Sequence, residues 1–182
     1  MSEKVLITGH QGYIGSVMAP IIQSAGYEVS GIDTAYYGDD CIFIPELSNI
    51  KCINKDIRDV TQRDLEGFDA LIHLAALSND PLSNLNSQWT YEINHKASVR
   101  LAKLSKKAGI KRFIVSSACS IHGSVSGGKV YEDTPVHPLT PYGESKILAE
   151  TEISRLADSN FSPTFLRNGT VYGVSPKLRL DI

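Results

Sequence analysis

The chain has 182 residues, about the size of one domain, with 42% apolar and 21% charged residues. This composition is typical of a globular protein and argues against intrinsic disorder. The net charge of −2 offers no basic surplus for nucleic acid, and no apolar run reaches the roughly 18 residues of a membrane helix. Three widely spaced cysteines indicate neither a disulfide framework nor a metal site, so we expect a cytoplasmic protein without a metal.

Short apolar runs alternate with helical patterns along almost the whole chain. The runs predict strands at 5–8, 27–32, 50–53, 70–75, 112–116 and 163–167, and the patterns predict helices at 12–25, 61–66, 88–108 and 142–157. Pro20 is expected to kink or weaken the first helix, whereas Gly26 and Gly109 are typical of helix C-termini. Residues 31–49 are irregular and predict a surface loop. The alternation predicts an α/β fold, a three-layer Rossmann-type doubly wound parallel sheet.

Gly9, Gly12 and Gly15 form a G-x-x-G-x-x-G pattern between the first predicted strand and the first predicted helix. Small residues there let backbone N–H groups approach a pyrophosphate, and the helix N-terminus adds partial positive charge. Because any tight turn can use glycine, a purely structural turn is the alternative. The strand before the pattern and the helix after it favour the binding of a dinucleotide.

Asp33 stands at the end of the second predicted strand, 18 residues after Gly15. A carboxylate at this position accepts hydrogen bonds from the ribose hydroxyls of adenosine and repels a 2′-phosphate, which favours NAD over NADP. The alternative is an aspartate that only forms a turn before the following loop. Asp56 and Ile57, after the third strand, are candidates for covering the edge of the adenine.

Tyr142 and Lys146 are four residues apart in a predicted helix and therefore share one of its faces. An ammonium group beside a phenol favours the phenolate, so that the tyrosine becomes a usable base near neutral pH. The lysine can also hydrogen-bond a nicotinamide ribose, and the pair suits proton transfer to or from a sugar hydroxyl. The same spacing occurs on many surface helices, but here it follows the glycine turn, the acidic strand end and a serine-rich fifth strand end.

Together these patterns resemble the extended short-chain dehydrogenases/reductases, and among them the NAD-dependent nucleotide-sugar epimerase/dehydratase family. The matching residues occur in the family's order along the chain, at 8–15, 33, 56–57, 73–76, 94, 116–117, 142, 146, 166–168 and 171–173. The resemblance implies a Rossmann fold, a retained NAD and the oxidation of a sugar hydroxyl to a ketone. The reaction then continues by epimerisation or loss of water or stops there, often with return of the hydride. It also implies Tyr142 as the general base and Lys146 as its partner and ribose ligand.

The resemblance further implies the residues that contact the cofactor and the substrate. Those expected to bind NAD are Gly9, Gln11, Gly12, Tyr13, Ile14, Gly15, Asp33, Asp56, Ile57, Leu74, Ala75, Ala76, Ser78, Asn94, Ser116, Tyr142, Lys146 and Asn168. Ala118 occupies the position at which many relatives carry a catalytic serine or threonine. We therefore expect Ser117 or Ser120 to supply that catalytic hydroxyl.

Relatives continue into a smaller substrate lobe, so residues 1–175 are expected to form the NAD-binding domain and 176–182 the beginning of that lobe. Helices near 88–108 and 142–157 form the dimer bundle in relatives and imply a homodimer. Two other interpretations stay open. Ala118 and the abrupt end of the chain favour an NAD-binding protein or sensor without turnover, whereas a reductase of a non-sugar carbonyl often prefers NADPH, which Asp33 opposes.

Overall fold

Six parallel strands form one sheet in the computed structural model, which describes residues 2–36, 49–78, 80–124 and 128–177. The strands are β1 (Lys4–Thr8), β2 (Glu28–Asp33), β3 (Lys51–Asn54), β4 (Ala70–His73), β5 (Arg112–Ala118) and β6 (Ser162–Asn168). Every strand predicted from an apolar run is present, with ends that differ by at most two residues. Most of the predicted loop, at 37–48, lies outside the described residues, and so does the segment 178–182.

The strand order β3-β2-β1-β4-β5-β6 confirms the predicted doubly wound sheet. The chain starts in the middle of the sheet and builds outwards on both sides, so the direction of winding reverses between β1 and β4. Thr8 and His73, the last residues of these two strands, are paired in register. Ligands of such sheets bind in the crevice that this reversal opens at the carboxyl ends of the strands.

Two hydrophobic clusters cover the two faces of the sheet. Successive residues of β1 point to opposite faces of the sheet. Leu6 packs in one cluster, which also contains Leu101 and Ile153 from two different helices. Ile7 packs instead in the cluster that contains Ala19 of the first helix. Burial on both faces explains why the strands are short continuous apolar runs rather than alternating ones.

The helical segments that form these layers differ from the predicted helices in type and in bounds. They are α1 (Gly15–Ser24), α2 (Asp80–Leu85), α3 (Ser87–Thr90), α4 (Ser98–Ala108) and α5 (Pro141–Ser154), with a π-helical segment at Tyr91–Ala97 and 3₁₀ turns at Gln62–Leu65 and Cys119–His122. None of the helices in the described ranges is both long and apolar enough to cross a membrane.

The predicted start of the first helix at residue 12 is wrong, because the residues from Gly9 onward form a tight turn. In this turn the N–H of Gly12 donates to the carbonyl of Gly9 at 3.0 Å, and α1 begins only at Gly15. Pro20 lies inside α1, which continues through it to Ser24. The helix ends where Gly26 adopts a φ of +96°, as expected for a glycine C-terminus.

The helix predicted at 88–108 is interrupted by the π-helical segment, and α2 was not predicted at all. The predicted C-terminus is confirmed, because Gly109 caps α4 with a left-handed φ of 88°. The predicted helix at 61–66 is a 3₁₀ turn, in which the carboxylate of Asp64 accepts from the N–H of Thr61 at 2.7 Å. These differences leave the order of the elements unchanged.

Candidate active site

The glycine turn has no room for side chains where it meets β4. A Cβ on Gly9, whose φ is +73°, would lie 2.7 Å from the backbone nitrogen of Ala75. A Cβ on Gly15 would overlap the carbonyl oxygen of Gly9, and one on Gly12 would lie 3.2 Å from the same oxygen. At these three positions the turn therefore presents backbone rather than side chains at the start of α1. This is the geometry that a pyrophosphate requires, because only such a surface brings N–H groups close to the phosphate oxygens.

Asp33 fixes the turn to the end of β2. One oxygen of its carboxylate accepts from the N–H of Gln11 at 3.0 Å, and the other accepts from the N–H of Ala35 at 3.1 Å. A carboxylate has about four lone-pair positions, so two backbone donors leave capacity for the hydroxyls of a ribose. The structure thus places the predicted ribose ligand beside the turn.

The loop after β4 is held by a buried amide. Asn94, in the middle of the π-helical segment, is 1% exposed. Its Oδ1 accepts from the N–H of Leu77 at 2.8 Å, and its Nδ2 donates to the carbonyl of Leu77 at 3.0 Å. Asn94 thus supports the loop after β4, and its contact with NAD stays a prediction. Ala75 and its neighbours are thereby kept against the glycine turn.

A chain of buried hydrogen bonds links Asn94 to the ends of β4 and β1. Ser98 donates to the carbonyl of Asn94 at 2.7 Å, so its oxygen accepts from Nε2 of His73 across another 2.7 Å. Nδ1 of His73 then accepts from the hydroxyl of Thr8, again at 2.7 Å. Burial and the positive charge of Lys146 lower the pKa of His73 to about 3, so the imidazole is neutral. The network fixes the ends of β1 and β4 relative to each other.

The predicted base and its partner lie at the start of α5. Thr140 caps this helix by accepting from the N–H of Gly143 at 3.2 Å, and Pro141 is its first residue. The half-buried Tyr142 follows in the first turn, and Nζ of Lys146 lies 5.6 Å from the centre of its ring. Burial lowers the pKa of Lys146 to about 8, against the opposing effect of Glu150.

Lys146 is anchored at the carboxyl end of β5. Its ammonium group donates to the carbonyl of Ser116 at 2.8 Å, and the hydroxyl of Ser116 accepts from the amide of Asn168 at 3.1 Å. Two neighbouring hydroxyls, those of Ser117 and Ser120, are buried and have no hydrogen-bond partner within the described part of the chain. Buried hydroxyls normally find a partner, so these two oxygens stand out as unsatisfied near the carboxyl end of β5.

The structure also describes four further residues that were predicted to contact the cofactor. Asp56 forms an ion pair with Arg58 at 2.8 Å, and this hydrogen-bonded contact lowers the pKa of Asp56. Ile57 is buried, and Ser78 is exposed after β4. Tyr13 donates its hydroxyl to the carbonyl of Gly173 at 2.6 Å. The contacts of these residues with a cofactor stay predictions. Among the described residues, no group of three or more His, Cys, Asp or Glu could hold a metal ion.

The model of the NAD dependent epimerase/dehydratase family matches residues 5–180. The chain belongs to this family. The resemblance inferred from its motifs is therefore confirmed. The glycine turn, Asp33 and the Tyr142–Lys146 pair all lie at the carboxyl ends of the parallel strands.

Other family members are similar along most of the chain. A UDP-glucose 4-epimerase of Lactobacillus helveticus is 30% identical over 181 residues, which cover 94% of this chain and 53% of that protein. The structure of MoeE5 in complex with UDP-glucuronic acid and NAD superposes with a TM-score of 0.84 at 30% identity, covering 98% of this chain and 58% of the other. UDP-glucose 4-epimerase of Thermotoga maritima with UDP-glucose gives 0.81 at 28%, covering 90% and 54%. The chain spans about half the length of the curated relatives it matches.

Sequence reasoning missed two residues that support the candidate site without lining it. It used His73 as the end of a strand and as part of the 73–76 match, without a supporting role, and it did not consider Glu150, which pairs with Arg167 of β6 at 2.9 Å. The available signal for Glu150 was its position four residues after Lys146, which places both on one helix face. For His73 no local signal exists, because its partners come from β1 and α4.

Proposed function

We propose that this chain is the cofactor-binding and proton-transferring part of a cytoplasmic, NAD-dependent enzyme that oxidises a hydroxyl group of a nucleotide sugar. The single observation that carries the proposal is the buried ammonium of Lys146 beside the ring of Tyr142. The pair stands at the sheet edge that also holds the glycine turn. UDP-glucose and UDP-glucuronic acid are bound in similar proteins, which supports a nucleotide sugar as the substrate class.

Residues 1–175 would form the NAD-binding domain, with 176–182 as the start of a substrate lobe. The pyrophosphate would lie on the backbone from Gly9 to Gly15, and the adenosine ribose on Asp33. Leu74, Ala75 and the loop that Asn94 holds would line the rest of the cofactor. When bound, NAD supplies the acceptor for the hydride that leaves the sugar.

Tyr142 would act as the general base that removes the proton of the reacting hydroxyl. A tyrosine in water is a poor base at neutral pH, but an adjacent positive charge lowers the pKa of a phenol. Lys146 provides that charge, and its hydrogen bond to Ser116 prevents the flexible side chain from turning away. The ammonium would also donate to the nicotinamide ribose.

Ser120 or Ser117 would donate a hydrogen bond to the reacting oxygen in place of a hydroxyl at position 118. Their unpartnered oxygens favour this role, because binding of substrate would satisfy them. Ala118 itself also favours a second candidate function, an NAD-binding protein that does not turn over substrate. The distinction between the two functions rests on whether hydride transfer occurs.

We also propose that two copies associate through the helices near 88–108 and 142–157. Trp89 on α3 is 59% exposed and Leu148 on α5 is 36% exposed, so this surface carries apolar side chains without cover. A sedimentation experiment should give the mass of a dimer, and the mass of one protomer would contradict the proposal.

The proposed function is tested by adding NAD and then UDP-, GDP- or dTDP-sugars to the purified full-length protein. We expect tight binding of NAD and absorbance of the reduced nicotinamide with at least one sugar. Tyr142→Phe should abolish that absorbance and leave NAD affinity nearly unchanged, whereas the control Tyr131→Phe, at an exposed tyrosine, should change neither. NAD binding without reduction by any sugar would favour the non-catalytic alternative, and the absence of NAD binding would contradict both.

A further inference from the structure

Glu150 is a buried carboxylate one helical turn beyond the proposed base partner. It lies four residues after Lys146 on α5, and the two residues are 6% and 7% exposed. Residues at this spacing lie next to each other on a helix face. A glutamate is rarely buried so completely unless it is paired, so its position requires a partner.

That partner is Arg167 on the edge strand β6. Its Nη2 and Nε donate to Oε2 of Glu150 at 2.9 and 3.2 Å, and its Nη1 donates to the carbonyl of Glu132 at 2.7 Å. The guanidinium is thus held on two sides. Glu150 therefore has a cation on β6 and a second cation, Lys146, on its own helix.

The charges around Lys146 come from several elements. His73 of β4 is neutral, Tyr142 and Glu150 lie on α5, and Arg167 of β6 acts through Glu150. β5 contributes the carbonyl of Ser116 and no charge. Burial lowers the pKa of Lys146, and the charge of Glu150 is the effect that opposes this shift. Lys146, Glu150 and the partly exposed Arg167 together carry two positive charges and one negative charge.

We propose that Glu150 is a positioning residue for the general base, one that holds Lys146 as an ammonium ion, and that Arg167 limits this effect by sharing the carboxylate. The role of Lys146 in catalysis rests on the proposed function. The electrostatic coupling does not, because it exists in the protein without substrate. The effect of Glu150 on the titration of Lys146 can therefore be measured even if the protein never turns over substrate.

The two ends of the ion pair make a discriminating test. Glu150→Gln and Arg167→Gln both break the same ion pair, so a merely structural role predicts the same consequence for both variants. The electrostatic role predicts opposite consequences for Lys146. Glu150→Gln removes the negative charge that favours the ammonium, whereas Arg167→Gln leaves that charge undivided.

The measurement is a pH titration of Lys146 in the full-length protein without substrate, followed by NMR of its ε-carbon and assigned by the signal lost in Lys146→Met. We expect Glu150→Gln to lower the midpoint by about one pH unit and Arg167→Gln to raise it. Glu150→Asp should restore most of the wild-type midpoint. Glu152→Gln, which removes a carboxylate two residues further along α5, should leave it unchanged.

Shifts of the same sign in both glutamine variants, or unchanged midpoints in folded proteins, would overturn the proposal. If Glu150→Gln does not fold, Arg167→Gln decides alone. A higher midpoint supports the proposal, and an unchanged or lower midpoint refutes it. Turnover of nucleotide sugars is measured separately, so a failed titration and a failed proposed function give different results.

Discussion

The imidazole ring of His10 occupies the space in which a Cβ on Gly31 would stand. His10 is the second residue of the glycine turn and is 1% exposed, while Gly31 lies inside β2. A bulky side chain in the turn is thus accommodated by the absence of a side chain on the neighbouring strand. The fit sets how closely the turn approaches β2, where Asp33 accepts from Gln11.

We expect Gly31→Ala to destabilise the protein, because the new methyl group must displace a buried ring. Overpacking of this kind costs about 1–3 kcal/mol of unfolding free energy. In a His10→Ala background the same substitution should cost less than about 1 kcal/mol, since the ring is gone. Urea denaturation of the four proteins measures the coupling. Gly169→Ala, at a glycine with open space, is the control, and equal costs in both backgrounds would contradict the contact.

Asp33→Asn should change the choice of cofactor without loosening the turn. The amide oxygen of asparagine can still accept from Gln11 in the turn, whereas its NH2 group cannot replace the oxygen that accepts from Ala35, and the negative charge that repels a 2′-phosphate is lost. We expect the ratio of NAD to NADP affinity to fall about tenfold, or roughly 1.4 kcal/mol, when both dissociation constants are measured by calorimetry. Asp59→Asn, at an exposed aspartate, is the control. An unchanged ratio would exclude Asp33 as a ribose ligand.

The sequence predicted the parts of this site that depend on local chain geometry. The glycine turn could be recognised because three glycines follow one strand and precede one helix. Tyr142 and Lys146 could be related because the 3.6-residue period of a helix sets their separation. The parallel direction of the strands followed from the alternation of strands and helices, since parallel strands need crossover connections.

The rest depended on contacts between distant parts of the chain. The π-helical segment has no signature in the apolar pattern. Its central residue, Asn94, makes two hydrogen bonds to Leu77, which lies 17 residues earlier in the chain. The contact between the His10 ring and Gly31 joins the turn to β2 and has no local signature in the sequence. The pairing of Glu150 with Arg167 likewise required the position of β6. Long-range packing of this kind is not contained in a local window of sequence.

His73 should make the stability of the protein fall as the pH is lowered. Its pKa of about 3 in the folded state lies below the usual 6.5, so the unfolded chain takes up a proton first. The stabilising contribution of the neutral ring is complete above pH 6.5 and is lost progressively as the pH falls towards 3. Between pH 6.5 and 5 the loss is about 2 kcal/mol.

Urea denaturation at these two pH values measures the effect in wild type and in His73→Asn, which keeps a donor and an acceptor at the site. We expect the variant to lose less stability on acidification, by about the 2 kcal/mol attributed to the ring. His10 titrates in both proteins and cancels in the difference. His137→Gln, at an exposed histidine, should behave as wild type. Parallel pH dependences in wild type and His73→Asn would refute the assignment.

Asn94→Ala should release the loop after β4, because it removes both hydrogen bonds to Leu77. Leu77 is partly buried, and leaving its backbone groups without a partner costs up to about 1–3 kcal/mol of unfolding free energy. Hydrogen exchange at the amide of Leu77 should become at least about tenfold faster, corresponding to 1.4 kcal/mol or more of lost protection. Asn160→Ala, at an exposed position, should alter neither quantity. NAD affinity should fall with Asn94→Ala, because the loop packs on Gly9; unchanged affinity together with faster exchange would show that the cofactor does not depend on this loop.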